Sequence, residues 1–358
     1  MLTSDSIRRV IVRGTNWVGD AVMTVPALRQ LRNTLPEAHL TLATRPNTAE
    51  IFADVDFIDD LLVCGTSGVW SNARSWSRGN FDLAILFTNS FHSALVAFFA
   101  GVPNRLGYAT QHRRPLLSAP VPRPSWSESR HEVYYYLNLI SELEKLLNPQ
   151  THVPEDAKPR LSVSWQRRAD ARALLTNSGV ATGDTLVALC PGSVNSRAKR
   201  WPAERFAEVG DQLSEKRGVK ILLIGSKEEL EISLAVKNQM RHRPVLLTGE
   251  TSVGAAAAVL GEVDLLITND TGPAHIAAAL GQSTLVIFGP TNPLTTSPFA
   301  DNAEVVRRPP DCAPCMLRDC PIDHRCMTAI SADEIVERAM AMLDRIQSSV
   351  AGKQAVGS

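Results

Sequence analysis

DLLITNDTGPAHIAAALGQSTLVIFGP, residues 264–290, decides the fold class. A short apolar run, DLLIT, ends in a turn of Asn, Asp, Thr and Gly. An Ala-rich segment of helical character follows, and a second apolar run, STLVIF, stops at Gly289-Pro290. Runs that are apolar throughout, rather than at every second residue, belong to strands covered on both faces, as in a parallel sheet flanked by helices. The turn carries its own chemistry. Asp270 or Thr271 can cap the helix, Gly272 lets a ligand approach the backbone, and Pro273 suits a first helical position. Free N–H groups and the positive end of the helix dipole then suit an anion, most naturally a phosphate. An ordinary capped helix would read the same way, and His275, one turn in, could face either a ligand or the sheet.

The same rhythm extends in both directions. Upstream come TLVALCPG, a helix from Ala203, VKILLIGS, a helix from Lys227, and PVLLTGE. The first half repeats it with RRVIVRG, HLTLATR, DDLLVC and FDLAILF, separated by helical segments such as AVMTVPALRQLRNTL and, later, YYYLNLISELEKLL. NPQTHVPEDAKPR, residues 148–160, interrupts the pattern with Pro and polar residues and reads as a linker. The expected organisation is α/β, with a first doubly wound domain over 1–150, a linker over 151–160, and a second domain over 161–348. SADEIVERAMAMLDRI supplies the closing helix, with Ser331 and Glu334 as a capping box, and 349–358 is expected to be a disordered tail. A chain of 358 residues is long enough for two cores, and 44% hydrophobic residues can fill them.

Charge and composition exclude several classes. Lys+Arg and Asp+Glu balance at 37 each, so there is no global basic field for a nucleic acid. ALVAFFAGV, residues 94–102, falls well short of the ~20 apolar residues of a spanning helix, and MLTSDSIRRV lacks a secretory signal. The expectation is a soluble cytoplasmic protein. The first turn spaces Gly14 and Gly19 as G-x-x-x-x-G, without the dinucleotide or P-loop fingerprints.

Ligands of doubly wound sheets bind beyond the carboxyl ends of the strands, so the remaining turns there are the places to search. CPGSVNSRAKRWP places Gly192 and Ser193 before Arg197, Lys199 and Arg200, cations able to neutralise a diphosphate. IGSKEELEI offers Glu228 and Glu229, either of which can accept hydrogen bonds from a ribose. FGPTNP adds Gly289, Pro290 and Thr291. Four such turns on one rim make the second domain a nucleotide-diphosphate site. In the first domain Asp20, in RGTNWVGDAVM, is a lone carboxylate at the junction of strand and helix, a position that suits a helix cap or a general base.

RGTNWVGDAVMTVPALRQL, PGSVNSRAKRWP, NDTGPAHIAAALG and FGPT, together with the Cys-rich CAPCMLRDCPIDHRCM, resemble the bacterial ADP-heptose:lipopolysaccharide heptosyltransferases, and within them the heptosyltransferase II group. The resemblance covers about Ile7 to Ile346 in motif order. It implies a GT-B fold, two Rossmann-like domains facing across a cleft, with the donor ADP-heptose in the C-terminal domain and an anionic lipid-linked core acceptor in the N-terminal one. It implies an inverting sugar transfer with no required cofactor. Asp20 then matches the general base, and Lys199 the lysine on the donor phosphates. Ser193, Glu229, Asp270, Thr271, Gly272 and His275 match the rest of the donor site, with Glu229 preferred to Glu228. His92 stands where relatives often carry Lys.

Between Gly101 and His131 the arginines 105, 113, 114, 123 and 130 face one acid, Glu128. Arg105, Arg113 and Arg114 are the expected acceptor ligands, and the stretch is expected to draw the protein to the inner face of the cytoplasmic membrane. DVD at 54–56 falls in a loop, so a metal-holding acidic pair is missing from the strand ends. Cys312, Cys315, Cys320 and Cys326, spaced C-x2-C-x4-C-x5-C, read as structural thiols or a disulfide, with zinc or iron ligation as the other reading. Competing readings are a related transferase with another acceptor or nucleotide, a nucleotide-sugar epimerase of similar build, and a non-catalytic scaffold using the cysteines. Self-association is not set by the sequence.

Overall fold

The computed structural model describes residues 3–65, 68–148 and 157–356. The chain forms two compact units, Met1–Ser162 and Val163–Ser358. The expected linker, 151–160, ends two residues before this boundary, and its residues 151–156 lie outside the described ones.

In the first unit the strands are β1 (Arg9–Arg13), β2 (His39–Thr44), β3 (Asp60–Val63), β4 (Leu83–Leu86), β5 (Asn104–Tyr108) and β6 (Ala119–Val121). They form one parallel sheet in the order β3-β2-β1-β4-β5-β6. The second unit repeats the design with β7 (Leu186–Cys190), β8 (Lys220–Leu223), β9 (Val245–Leu246), β10 (Leu265–Asn269), β11 (Ser283–Phe288) and β12 (Ala303–Arg307), in the order β12-β11-β10-β7-β8-β9. Each unit is therefore doubly wound, the α/β architecture expected of a GT-B chain. The winding reverses between β1 and β4 and again between β7 and β10, which is where such sheets bind ligands.

The central strands are buried on both faces, which is why their sequences lack alternation. Leu265, Leu266 and Ile267 are fully buried, and each such side chain contributes about 1.5–3 kcal/mol. β5, β6 and β12 escaped the sequence reading. β6 and β12 are edge strands, and β6 carries Pro120, which an edge tolerates because one side of its backbone needs no partner.

The helix expected over 21–35 is two helices, Val18–Met23 and Val25–Thr34. Pro26 has no N–H to continue the ladder and instead opens the second helix. Glu334 N–H donates to Ser331 Oγ at 3.2 Å, one half of the expected capping box. That last helix runs Ala332–Val356, through most of the segment expected as a tail, where Ala, Lys and Gln favour helix. No helix among the described residues is long and apolar enough to cross a membrane.

Candidate functional site

In the second unit four turns meet at the carboxyl ends of β7, β8, β10 and β11, and polar side chains lace them together. Asn269, the last residue of β10, is fully buried. Its amide donates to the carbonyls of Pro191 (2.8 Å) and Gly192 (3.2 Å), and its Oδ1 accepts the Trp201 N–H at 3.0 Å. This one residue fixes the β7 turn against the β10 turn. The sequence reading missed it, because a polar residue at a strand end carries no signal of what it will bridge.

Asp270 is 4% exposed and does not cap the helix that follows. Its Oδ2 holds Lys199 Nζ at 2.7 Å and accepts from Thr291 Oγ1 at 2.6 Å. Lys199 Nζ also reaches the Asp270 carbonyl, at 3.3 Å. The carboxylate thus faces its own lysine and fixes the ammonium beside the turn. Thr271 occupies the N-cap of helix Gly272–Ala279 without a side-chain cap bond, and its hydroxyl turns to the Asn269 carbonyl at 3.3 Å. Pro273 lacks an N–H and Ala274 donates to the Thr271 carbonyl, while the Gly272 N–H has no backbone acceptor among the described residues. His275 is buried at 6% in the first turn of the same helix.

The three cations after β7 separate in space. Arg200 forks onto the Ser193 carbonyl (3.1 and 3.0 Å), Arg197 pairs with exposed Asp319 at 2.7 Å, and Lys199 alone turns to the β10 terminus. Ser193 is buried under that clasp. Of the two glutamates, Glu228 is exposed, whereas Glu229 is buried and lies against the β7 turn. Ser226 N–H donates to Glu229 Oε2 at 2.8 Å, and a Cβ added at Gly192 would lie 2.3 Å from Glu229 Oε1. Gly192 is therefore required by close approach of this carboxylate. Burial and the nearby Glu229 push the Cys190 thiol up to about 12, which makes it inert.

The Cys-rich segment braces the same turns from outside. Ala198 N–H donates to the Arg318 carbonyl and Met316 N–H to the Pro290 carbonyl, both at 2.9 Å, and Ser196 Oγ adds a bond to Arg318 O at 3.2 Å. Cys312, Cys315, Cys320 and Cys326 are free thiols that line one small cavity with Asp323 and His324. Burial, then the three neighbouring thiols, push Cys326 upward. No group of His, Cys, Asp or Glu among the described residues is gathered so as to hold a metal.

In the first unit Asp20 is half-buried at the third position of helix Val18–Met23, whose N-cap is Trp17. It is therefore not the cap, although the helix dipole still favours its anion there. Its charge acts on Tyr136, whose hydroxyl donates to Glu132 Oε2 at 3.3 Å. Burial first, then Asp20 and Glu132, hold the Tyr136 phenol protonated well above its usual range, and burial raises Glu132. Tyr136 was legible only as part of a helix, since 3.6-residue spacing does not say what the face meets, and Glu132 lies before the stretch read as helical.

The expected acceptor arginines divide. Arg113 is fully buried. It donates to the carbonyls of Tyr108 (2.8 Å), Thr88 and Ser90 (3.4 Å), to Ser93 Oγ, and to Asn89 Oδ1 (3.2 Å). All of these acceptors are neutral, and burial pushes the guanidinium down to about 10. Arg105 donates to the carbonyls of Val102, Pro103 and Leu116. Both side chains hold loops, and Arg113, sealed from solvent, has no free edge to offer an acceptor, whereas Arg105 is half-buried. Arg114 is exposed.

Against known proteins, residues 69–325 match the model of glycosyltransferase family 9 (heptosyltransferase). The chain is 27% identical to lipooligosaccharide heptosyltransferase 2 of Haemophilus ducreyi, over 71% of this chain and 75% of that one. It is 25% identical to the protein of the same name from Campylobacter jejuni, over 94% and 98%. Among solved structures it is similar to E. coli ADP-heptose lps heptosyltransferase II, with TM-score 0.80 and 24% identity over 95% of this chain and 99% of that one. A glycosyl transferase family 9 structure from Veillonella parvula gives TM-score 0.81 at 25% identity, over 94% and 97%.

Proposed function

The chain belongs to glycosyltransferase family 9, the heptosyltransferases, and from that premise we propose that it adds the second heptose of a lipopolysaccharide inner core, taking it from ADP-heptose with inversion and without a divalent ion. The observation that carries the reading is Lys199, held by buried Asp270 at the start of helix Gly272–Ala279. The ammonium and the Gly272 N–H are preorganised donors for the negative charge that grows on a departing diphosphate. They supply the charge that a bound cation supplies in other nucleotide-sugar enzymes. Glu229 takes the ribose hydroxyls, while Ser193, Thr271 and His275 line the donor turns.

Asp20 is the general base. The acceptor hydroxyl attacks the anomeric carbon as the bond from that carbon to the diphosphate oxygen breaks. ADP carries away the bonding pair, and the hydroxyl proton passes to the Asp20 carboxylate. Arg114 faces the anionic core, and the lipid-linked acceptor places the enzyme at the inner face of the cytoplasmic membrane. The test is transfer from ADP-heptose to a core acceptor bearing one heptose, with a chelator present and the product anomer read by NMR. Asp20→Asn is expected to bind ADP normally and lose about 10²–10⁴-fold in turnover. Turnover within tenfold of wild type would remove Asp20 as base, and loss of wild-type activity with chelator would refute the metal-independent step.

A further inference from the structure

The first unit carries an aromatic face that the transfer chemistry does not use. Trp70 is 71% exposed on helix Val69–Ser77, and Phe98 and Phe99 are 45% and 44% exposed at the end of helix Phe91–Phe99. The two helices bring these rings together, with Trp70 and Phe99 centroids 4.5 Å apart and Phe98 and Phe99 5.6 Å apart. Phe91, 44% exposed, lies two turns before Phe98 on the same side of its helix. Large aromatic side chains clustered at the surface cost solvation and mark a binding surface.

The two helices and the strand after them carry cations beside these rings. Arg74, one turn beyond Trp70, and Arg78 are exposed, and neither makes an ion pair among the described residues. The Arg105 guanidinium sits 5.4 Å from the Phe98 ring centre. From residue 61 to 127 the only acid is Asp82, and it is turned inward, accepting the backbone N–H groups of Arg8 and Arg9 at 2.9 Å each.

Resting on the proposed acceptor, which is lipid-linked, we infer that Trp70, Phe98 and Phe99 dock this unit onto an anionic bilayer surface, with Arg74 and Arg78 on the lipid headgroups. Aromatic rings settle at the interface between headgroups and acyl chains, and arginines beside them add attraction to anionic lipid. A stretch of 67 residues whose one acid, Asp82, is engaged by backbone N–H groups fits a uniformly negative plane better than the mixed charges of a protein surface. It would hold the first unit where a lipid-linked acceptor is found.

The test is flotation of the full chain with phosphatidylcholine vesicles, with and without phosphatidylglycerol. Wild type is expected to float with the anionic vesicles and to be released by high salt. Arg74→Glu/Arg78→Glu and Trp70→Ser/Phe99→Ser should each bind them about tenfold more weakly or worse. Both variants should keep wild-type ADP binding, melting temperature and transfer to a delipidated, water-soluble acceptor. Wild type that fails to float, floats equally with both vesicle types, or floats no better than the variants overturns the inference. Failure of wild type on the water-soluble acceptor overturns the enzymatic reading instead, and the two are told apart because that assay contains no vesicles.

Discussion

Replacing Lys199 by Met should damage both stability and turnover, and the structure assigns each loss a separate cause. Asp270 is 4% exposed and has two side-chain partners, Lys199 at 2.7 Å and Thr291 at 2.6 Å. Without the ammonium a buried carboxylate keeps one hydroxyl. Breaking a buried pair in this way costs about 3–5 kcal/mol. Lys199 itself is 26% exposed, so water can reach the gap, and about 2–3 kcal/mol is the better expectation. At about 2–4 °C per kcal/mol for a unit of this size, melting should fall by roughly 5–10 °C.

Asp270→Asn should cost less, about 1 kcal/mol, because the freed ammonium can turn to solvent. In the double variant the stranded charge is gone, so Lys199→Met/Asp270→Asn should melt above Lys199→Met alone. Turnover responds differently. Losing a preorganised cation at the leaving diphosphate should lower kcat by about 10²–10³-fold, and the double variant should not recover it. Asp270→Asn keeps the cation but loosens it, and about tenfold is expected. Thermal melts and steady-state transfer on the four proteins complete the cycle. A double variant no more stable than Lys199→Met would refute the claim that Lys199 neutralises Asp270, and kcat within tenfold of wild type for Lys199→Met would remove it from the leaving-group side.

Gly192→Ala should displace Glu229, which a Cβ would meet at 2.3 Å, so calorimetry should show ADP affinity down by about tenfold or more with the fold retained. Asp211, buried on helix Ala203–Arg217, accepts the backbone N–H groups of Arg241 (3.0 Å) and His242 (2.9 Å). These bonds and the Arg241 guanidinium, outweighing burial, hold its carboxyl below the ordinary 3.8. Its stabilisation is complete above pH 3.8 and is lost as pH falls through the depressed folded value. Asp211→Asn should therefore flatten the acid limb of a denaturation profile, and an unchanged limb would exclude this carboxylate. Arg113→Met should destabilise by about 3 kcal/mol by stranding the Thr88 and Tyr108 carbonyls, whereas Arg114→Ala should leave melting unchanged and raise KM for the acceptor. Denaturant titration and acceptor kinetics separate the two.

What the sequence determined by itself follows from local rules. Uninterrupted apolar runs ending in Gly-, Ser- and Thr-containing turns are set by the burial of each strand on both faces, so the two parallel sheets and the four strand-end turns of the second unit could be read directly. Gly272 and Pro273 likewise mark a helix start through their own backbone preferences. Edge strands β6 and β12 were lost because a half-covered strand needs no continuous apolar run.

Tertiary structure decided where each charge points. Arg197, Lys199 and Arg200 are equivalent as letters, yet only Lys199 meets Asp270, 71 residues away. Arg113 and Arg114 are neighbours, yet one is walled in by carbonyls and the other lies in solvent. Trp70 and Phe99 become one face only because two helices pack side by side. Periodicity reports which side of an element is buried, a property of the few residues around it. The partner of a side chain depends on which distant turn the sheet order delivers beside it, and strand order is fixed by packing of the whole unit.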